Sequence, residues 1–156
     1  MDLEEIICCT GIIQTAMPSS SICGGYSITM QTDRDSVCVR LTPQTYVVDC
    51  TPLRPGMRVA AFHTANALPP EQHSAYPAFL IAPVKDWEHV TLKYFDHTLT
   101  AQDDSLKLNI SPQTNIQTAN GQRYTCHPGS RTLLVYYDVT TRSLPPQTSP
   151  GRIIVL

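Results

Sequence analysis

The sequence predicts an all-β protein made of two copies of one small unit in tandem. Three observations carry this. Short landmarks recur in one order along the chain. Alternating apolar and polar runs, bounded by turn residues, take the place of helical periodicity. Thirteen prolines in 156 residues leave little room for long helices, because each removes a backbone donor.

Ser36–Thr45 reads SVCVRLTPQT and Ser105–Thr114 reads SLKLNISPQT, an offset of 69 residues. RPGMR at Arg54–Arg58 meets HPGSR at His127–Arg131, at an offset of 73. ALPPEQHSAY from Ala67 meets RSLPPQTSPG from Arg142, and their LPP triplets lie 76 apart. Each copy then closes on an apolar run, AFLIA from Ala78 and RIIVL from Arg152. Collinear matches with small drift mark an internal repeat. They place one unit at 1–84 and the other at 88–156, joined by a short link.

In the first unit, Ile6–Gln14 is an apolar run, and a Ser/Gly/Pro loop leads from it to Tyr26. YSITMQT alternates, with Ile28 and Met30 on one face. Asp33 and Arg34 make a turn. SVCVRL alternates again, with Val37, Val39 and Leu41 on one side. Period-two patterning flanked by turn residues is the signal of a half-buried strand. Pro43 cannot donate to a ladder and ends its strand. Pro55-Gly56 suits a type II turn, with proline fixing φ and glycine accepting a positive one, and it launches MRVAAFH. Leu68-Pro69-Pro70 reads as a stiff, polyproline-like path to the last strand, pinned by its leucine.

The second unit repeats the plan. VTLKYF turns at Asp96-His97 into LTA, and Asp103-Asp104 turns into SLKLNI, with Leu106, Leu108 and Ile110 inward. Pro112 ends that strand. Pro128-Gly129 reads as the second type II turn, before RTLLVYY. Leu144-Pro145-Pro146 precedes RIIVL.

About five strands in roughly 70 residues, with no helix, suggest a small OB-like five-stranded barrel in each unit. The alternative is one pseudo-symmetric barrel from two interleaved halves. A unit this small buries only about 60% of its surface, so the units are expected to pack together, with Trp87 at the link.

The run SVCVRLTPQTYVVD, then LRPGMRV, then LPPQT before IIVL, resembles an uncharacterised family of small bacterial proteins with paired OB-like β-barrels. The resemblance spans nearly the whole chain and speaks to architecture. It implies no activity, cofactor or catalytic set. LPPEQHS in the first unit, in place of LPPQTS, departs from the pattern.

Net charge is −2, with eleven Lys and Arg spread along the chain. Phosphate backbones are held through several clustered cations, so nucleic acid is not the expected partner. The longest apolar runs fall far short of the ~20 residues of a spanning helix, so no membrane partner is expected. MDLEEIICC is acidic where a signal peptide is basic. With Met1 as the native start this points to the cytoplasm, where Cys8, Cys9, Cys23, Cys38, Cys50 and Cys126 are expected to stay reduced. No C-x-x-C, H-E-x-x-H or EF-hand loop occurs, and no metal or other cofactor is expected. Cys126 and His127 are adjacent, a poor arrangement for a nucleophile and its base. No catalytic residue is assigned.

The leading reading is a non-catalytic protein-interaction module or structural subunit. Its partner would be an unidentified protein or a second copy. The candidate interaction loops are Leu68, Pro69 and Pro70, and Arg142, Leu144, Pro145 and Pro146, which are preformed and lose little entropy on docking. A second reading is binding of single-stranded nucleic acid or polysaccharide through a barrel face, with Tyr26, Tyr46 and Tyr124 as stacking residues. A third is an enzyme with a cleft between the units.

Overall fold

The computed structural model describes residues 5–64 and 75–156. The chain divides into two compact units, Met1–Val84 and Lys85–Leu156. Both are built from strands. Among the described residues the one helical element is a single 3-10 turn, Val48–Cys50.

The first unit holds β1 (Ile6–Pro18), β2 (Tyr26–Gln31), β3 (Ser36–Leu41), β4 (Tyr46–Val47), β5 (Arg58–Thr64), β6 (Tyr76–Pro77) and β7 (Leu80–Pro83). They form one sheet of seven strands in the order β4-β7-β5-β1-β2-β3-β6. β1 is long because it serves two neighbours. Ile6–Ile12 pairs with β5 and Ile12–Pro18 with β2, both antiparallel. β3 with β6 and β4 with β7 are parallel.

The second unit holds β8 (His89–Phe95), β9 (Lys107–Leu108), β10 (Asn115–Thr118), β11 (Arg131–Tyr137), β12 (Gln147–Thr148) and β13 (Arg152–Val155). β10-β13-β11-β8 form a four-stranded sheet, and β12-β9 a two-stranded one. Isolated bridges from Phe95 to Ala101 and from Thr100 to Lys107 run from β8 toward β9.

The pairings of the two units match one for one. Ile13 opposite Met30 corresponds to Phe95 opposite Ala101. Val39 beside Tyr76 corresponds to Leu108 beside Thr148, parallel in both. Tyr46 beside Leu80 corresponds to Asn115 beside Arg152, again parallel. Ala61 opposite Ile81 corresponds to Val135 opposite Ile153. Among the described residues every strand pair lies within one unit, whereas the interleaved alternative needs pairs across the halves. As paired, neither main sheet closes on itself among the described residues.

The matched core positions trade volume. Ile13 and Met30 stand where the second unit has Phe95 and Ala101, so a large–small pair replaces two medium side chains. Such exchanges hold the packing density of an interior that tolerates neither voids nor overlap. Ile28, Met30 and Val39 are buried, as are Leu106 and Leu108. Ile110 departs from the expected inward pattern and is 38% exposed.

The doubled TPQT/SPQT motif proves to be a tie between distant strands. Thr45 Oγ1 accepts from the Thr42 N–H (3.0 Å) and donates to the Ala78 carbonyl (2.9 Å). Thr114 Oγ1 accepts from the Ser111 N–H (3.1 Å) and donates to the Pro150 carbonyl (2.9 Å). One hydroxyl thus satisfies the turn and fastens it to the approach of the last strand.

Two expectations about turns need correction. Gly56 has φ +91° and the Met57 N–H reaches the Arg54 carbonyl at 3.2 Å, as a type II turn requires. Gly129 does not take a positive φ; Ser130 does, at 59°. Gly129 is needed for space instead, since a Cβ there would lie 2.9 Å from the Asp96 carbonyl oxygen and 2.6 Å from the His127 ring. The second correction concerns the LPP path. Arg142–Pro145 bends rather than running extended. The Thr141 N–H bonds the Gln147 carbonyl (2.9 Å) and the Gln147 N–H bonds Thr141 Oγ1 (3.0 Å), closing a compact loop. Leu144 pins nothing and is 95% exposed. Leu68, Pro69 and Pro70 lie outside the described residues.

The units differ in two insertions. Sixteen residues separate Ile13 from Met30, but five separate Phe95 from Ala101. The extra length in the first unit is the β1–β2 arm. In the second unit a tight turn does the same job, with Asp96 Oδ1 accepting from the Thr98 N–H (2.8 Å) and the Thr100 N–H (3.1 Å). Conversely, eleven residues separate Val47 from Val59 and sixteen separate Ile116 from Leu133. That excess forms a small hairpin in which Gln117 bridges Arg123 and Gly121 takes φ +86°.

Candidate functional site

Each unit carries a hollow, and the two share two matched lining positions of the common frame. The first is about 230 Å³ and is lined by Tyr26, Ile28, Leu41, Val47 and Leu53, among others. The second is about 470 Å³ and is lined by Ile110, Asn115, Ile116, Gln117, Arg123 and Tyr124, among others. Leu41 matches Ile110 and Val47 matches Ile116 at the offset of the SPQT repeat. This explains the exposure of Ile110: it floors a groove.

The insertions decide the chemistry of each hollow. In the first unit the β1–β2 arm contributes Ala16 and Tyr26, and the walls are largely apolar. In the second unit the arm is missing, and the hairpin that continues β10 adds Gly121 and Arg123 beside Gln117 of β10. Arg123 is the cation in the groove's lining, and two further guanidiniums lie against lining residues. The Arg131 guanidinium stands 5.6 Å from the Tyr124 ring centroid. Arg152 Nε donates to Gln117 Oε1 at 3.3 Å. No Asp or Glu lines this groove.

That charge was legible in the sequence only when counted by region. Residues 105–156 contain five Lys and Arg but one Asp, whereas residues 1–104 contain six against twelve acids. The whole-chain total of −2 conceals the segregation, and the absence of a contiguous basic run conceals it again.

The tyrosines singled out from the sequence are placed differently. Tyr26 stands on the rim of the first hollow and is 41% exposed. Tyr46 is half-buried on β4, where its N–H bonds the Phe79 carbonyl (3.0 Å), and it does not line the hollow. Tyr124 lines the groove and packs partly against the second core. In the 142–146 loop, Arg142 and Leu144 are exposed while Pro145 and Pro146 are half-buried.

Among the described residues no arrangement of nucleophile and base stands out. All six cysteines are free thiols. Desolvation pushes the thiols of Cys8 and Cys9 above their ordinary range, which disfavours the reactive thiolate. His127 Nδ1 accepts from the Gly129 N–H (3.0 Å) and so is engaged in its own turn. His63 is buried, with its ring stacked on Tyr76 at 4.5 Å between centroids. Among the described residues, no three His, Cys, Asp or Glu side chains are grouped to hold a metal ion.

No family model matches the chain. No curated protein and no solved structure matches it either.

Proposed function

We propose that the protein is a non-catalytic interaction module built by tandem duplication of an OB-like unit, and that the Arg142–Pro146 loop is a contact element. The matching strand pairs support the duplication. The OB-like reading is supported by the path of the last stretch of each unit: β6 and β7, separated only by Ala78 and Phe79, pair with β3 on one side and with β4 and β5 on the other. Taken as one interrupted strand, that stretch brings the two edges together in a five-stranded, partly open barrel.

One observation carries the interaction reading. Leu144 is 95% exposed at the tip of a loop whose ends are hydrogen-bonded to each other. A leucine held out by a closed loop buries apolar surface on docking while ordering little new backbone. The test is a photo-crosslinking side chain introduced at Leu144, compared with the same group at Asn120, in cells making the protein. One crosslinked species, found from position 144 and not from 120, supports the reading and identifies the partner; a dimer of the chain itself identifies an assembly subunit. Equal, diffuse labelling from both positions overturns it.

A further inference from the structure

We propose that the groove of the second unit binds single-stranded nucleic acid, with Arg123 on a phosphate and a base stacked at Tyr124. The inference does not depend on the Leu144 loop.

Four features of the groove favour this ligand. First, its charge is one-sided. Arg123 is exposed at the rim, Arg131 lies over Tyr124, and Arg152 backs Gln117. No carboxylate lines the groove. Second, Tyr124 lines the groove with the Arg131 guanidinium over its ring, pairing the two kinds of surface on which unstacked bases rest. Third, Asn115 and Gln117 line the groove with amides; Asn115 Nδ2 and Arg152 Nε both donate to Gln117 Oε1, so it is Gln117 Nε2 as donor and Asn115 Oδ1 as acceptor that would meet a base edge. Fourth, Ile110 leaves apolar surface exposed in the floor, where its matched residue Leu41 is half-buried in a hollow without cations. A duplex keeps its bases stacked inward and offers nothing to Tyr124, so a single strand fits the set better.

At most three guanidinium groups take part, so binding is modest and salt-sensitive. Each phosphate neutralised adds about −0.7 to the slope of log affinity against log salt for a single strand. Three give a slope of about −2, or about a 20-fold loss between roughly 50 and 200 mM salt.

The experiment is fluorescence anisotropy with the full chain and labelled oligothymidylate and oligouridylate of about twelve nucleotides. Arg123→Gln is expected to weaken binding several-fold and to make the slope shallower by about 0.7. Tyr124→Leu is expected to weaken it about tenfold with the slope unchanged. Arg34→Gln, in the first unit, leaves both unchanged. Because Tyr124 touches the core, its variant is checked by circular dichroism; Arg123 is exposed and tests the groove without that concern. The proposal is overturned by absence of binding at low salt, or by wild-type affinity in Arg123→Gln. It is also overturned if duplex binds as well as single strand, or if a sulfated polysaccharide binds and the oligonucleotides do not. Crosslinking from position 144 that persists in Arg123→Gln separates this site from the Leu144 contact.

Discussion

The first unit walls its hollow with a β-arm and leaves it apolar; the second walls the matched hollow with a crossover hairpin and makes it basic. The strands beneath the two are paired alike. The difference teaches where each part of such a unit is decided. Strand pairing and the SPQT tie fix the frame. The two insertions, one in each copy, fix what the frame can hold. Core side chains change in compensating pairs, while rim side chains change without compensation because solvent accepts either.

The largest test of this contrast is an exchange of core pairs. Met30→Ala should destabilise the first unit by about 3 kcal/mol, from lost transfer energy and the cavity left behind. Adding Ile13→Phe, which recreates the Phe95 and Ala101 combination, should return part of that loss. Urea unfolding of both variants measures it. If the double variant is no more stable than Met30→Ala, the two cores are not interchangeable solutions.

Glycine replacement sharpens the comparison of the two Pro-Gly turns. Gly129→Ala should cost about 2 kcal/mol because its Cβ meets backbone, within 2.9 Å of the Asp96 carbonyl oxygen. Gly56→Ala meets open space but keeps a φ of +91°, and should cost about 1 kcal/mol from backbone strain alone. A D-alanine at position 56, introduced by semisynthesis, removes that loss.

The SPQT tie should behave alike in both units. Thr45→Val and Thr114→Val each leave an N–H and a carbonyl short of a partner and should cost about 1.5 kcal/mol. Unequal losses, read by unfolding, would show that the repeated hydroxyl does different jobs.

The smallest effect is electrostatic and belongs to the second unit. Desolvation pushes the Asp103 carboxyl up, but Lys93 at 2.6 Å and the Ser105 hydroxyl and N–H outweigh it and hold its pKa at about 2. A depressed carboxylate stabilises the fold above its ordinary pKa near 3.8, and that stability fades as pH falls toward 2. Asp103 is exposed, so the contribution is about half a kcal/mol or less. Asp103→Asn should lower stability slightly at pH 7 and flatten the stability curve between about pH 4 and 2.

The strands were legible because burial on one face imposes period two, as Ile28, Met30 and Val39 show. The repeat was legible because turns tolerate few substitutions. What Thr45 and Thr114 do was not, because their partners lie over thirty residues away and no local pattern encodes them. Gly129 looked like Gly56 because a dipeptide does not reveal whether a carbonyl from another turn will stand against it. Leu144 stood in the sequence as a candidate contact, but no local pattern could tell it from a pin: only the closed loop shows that it points outward. The groove escaped detection because its lining Arg123 and the guanidiniums behind it, Arg131 and Arg152, come from three separate segments.

In both units the strand made last lies inside the sheet, β7 between β4 and β5, and β13 between β10 and β11. During synthesis, the neighbours on either side therefore leave the ribosome with bare edges and wait for the piece that joins them. Such late, long-range closure slows folding and lengthens exposure to other chains. The short length of β4 and β10, two and four residues, limits the hazard, since so brief an edge offers a stray strand little to grip.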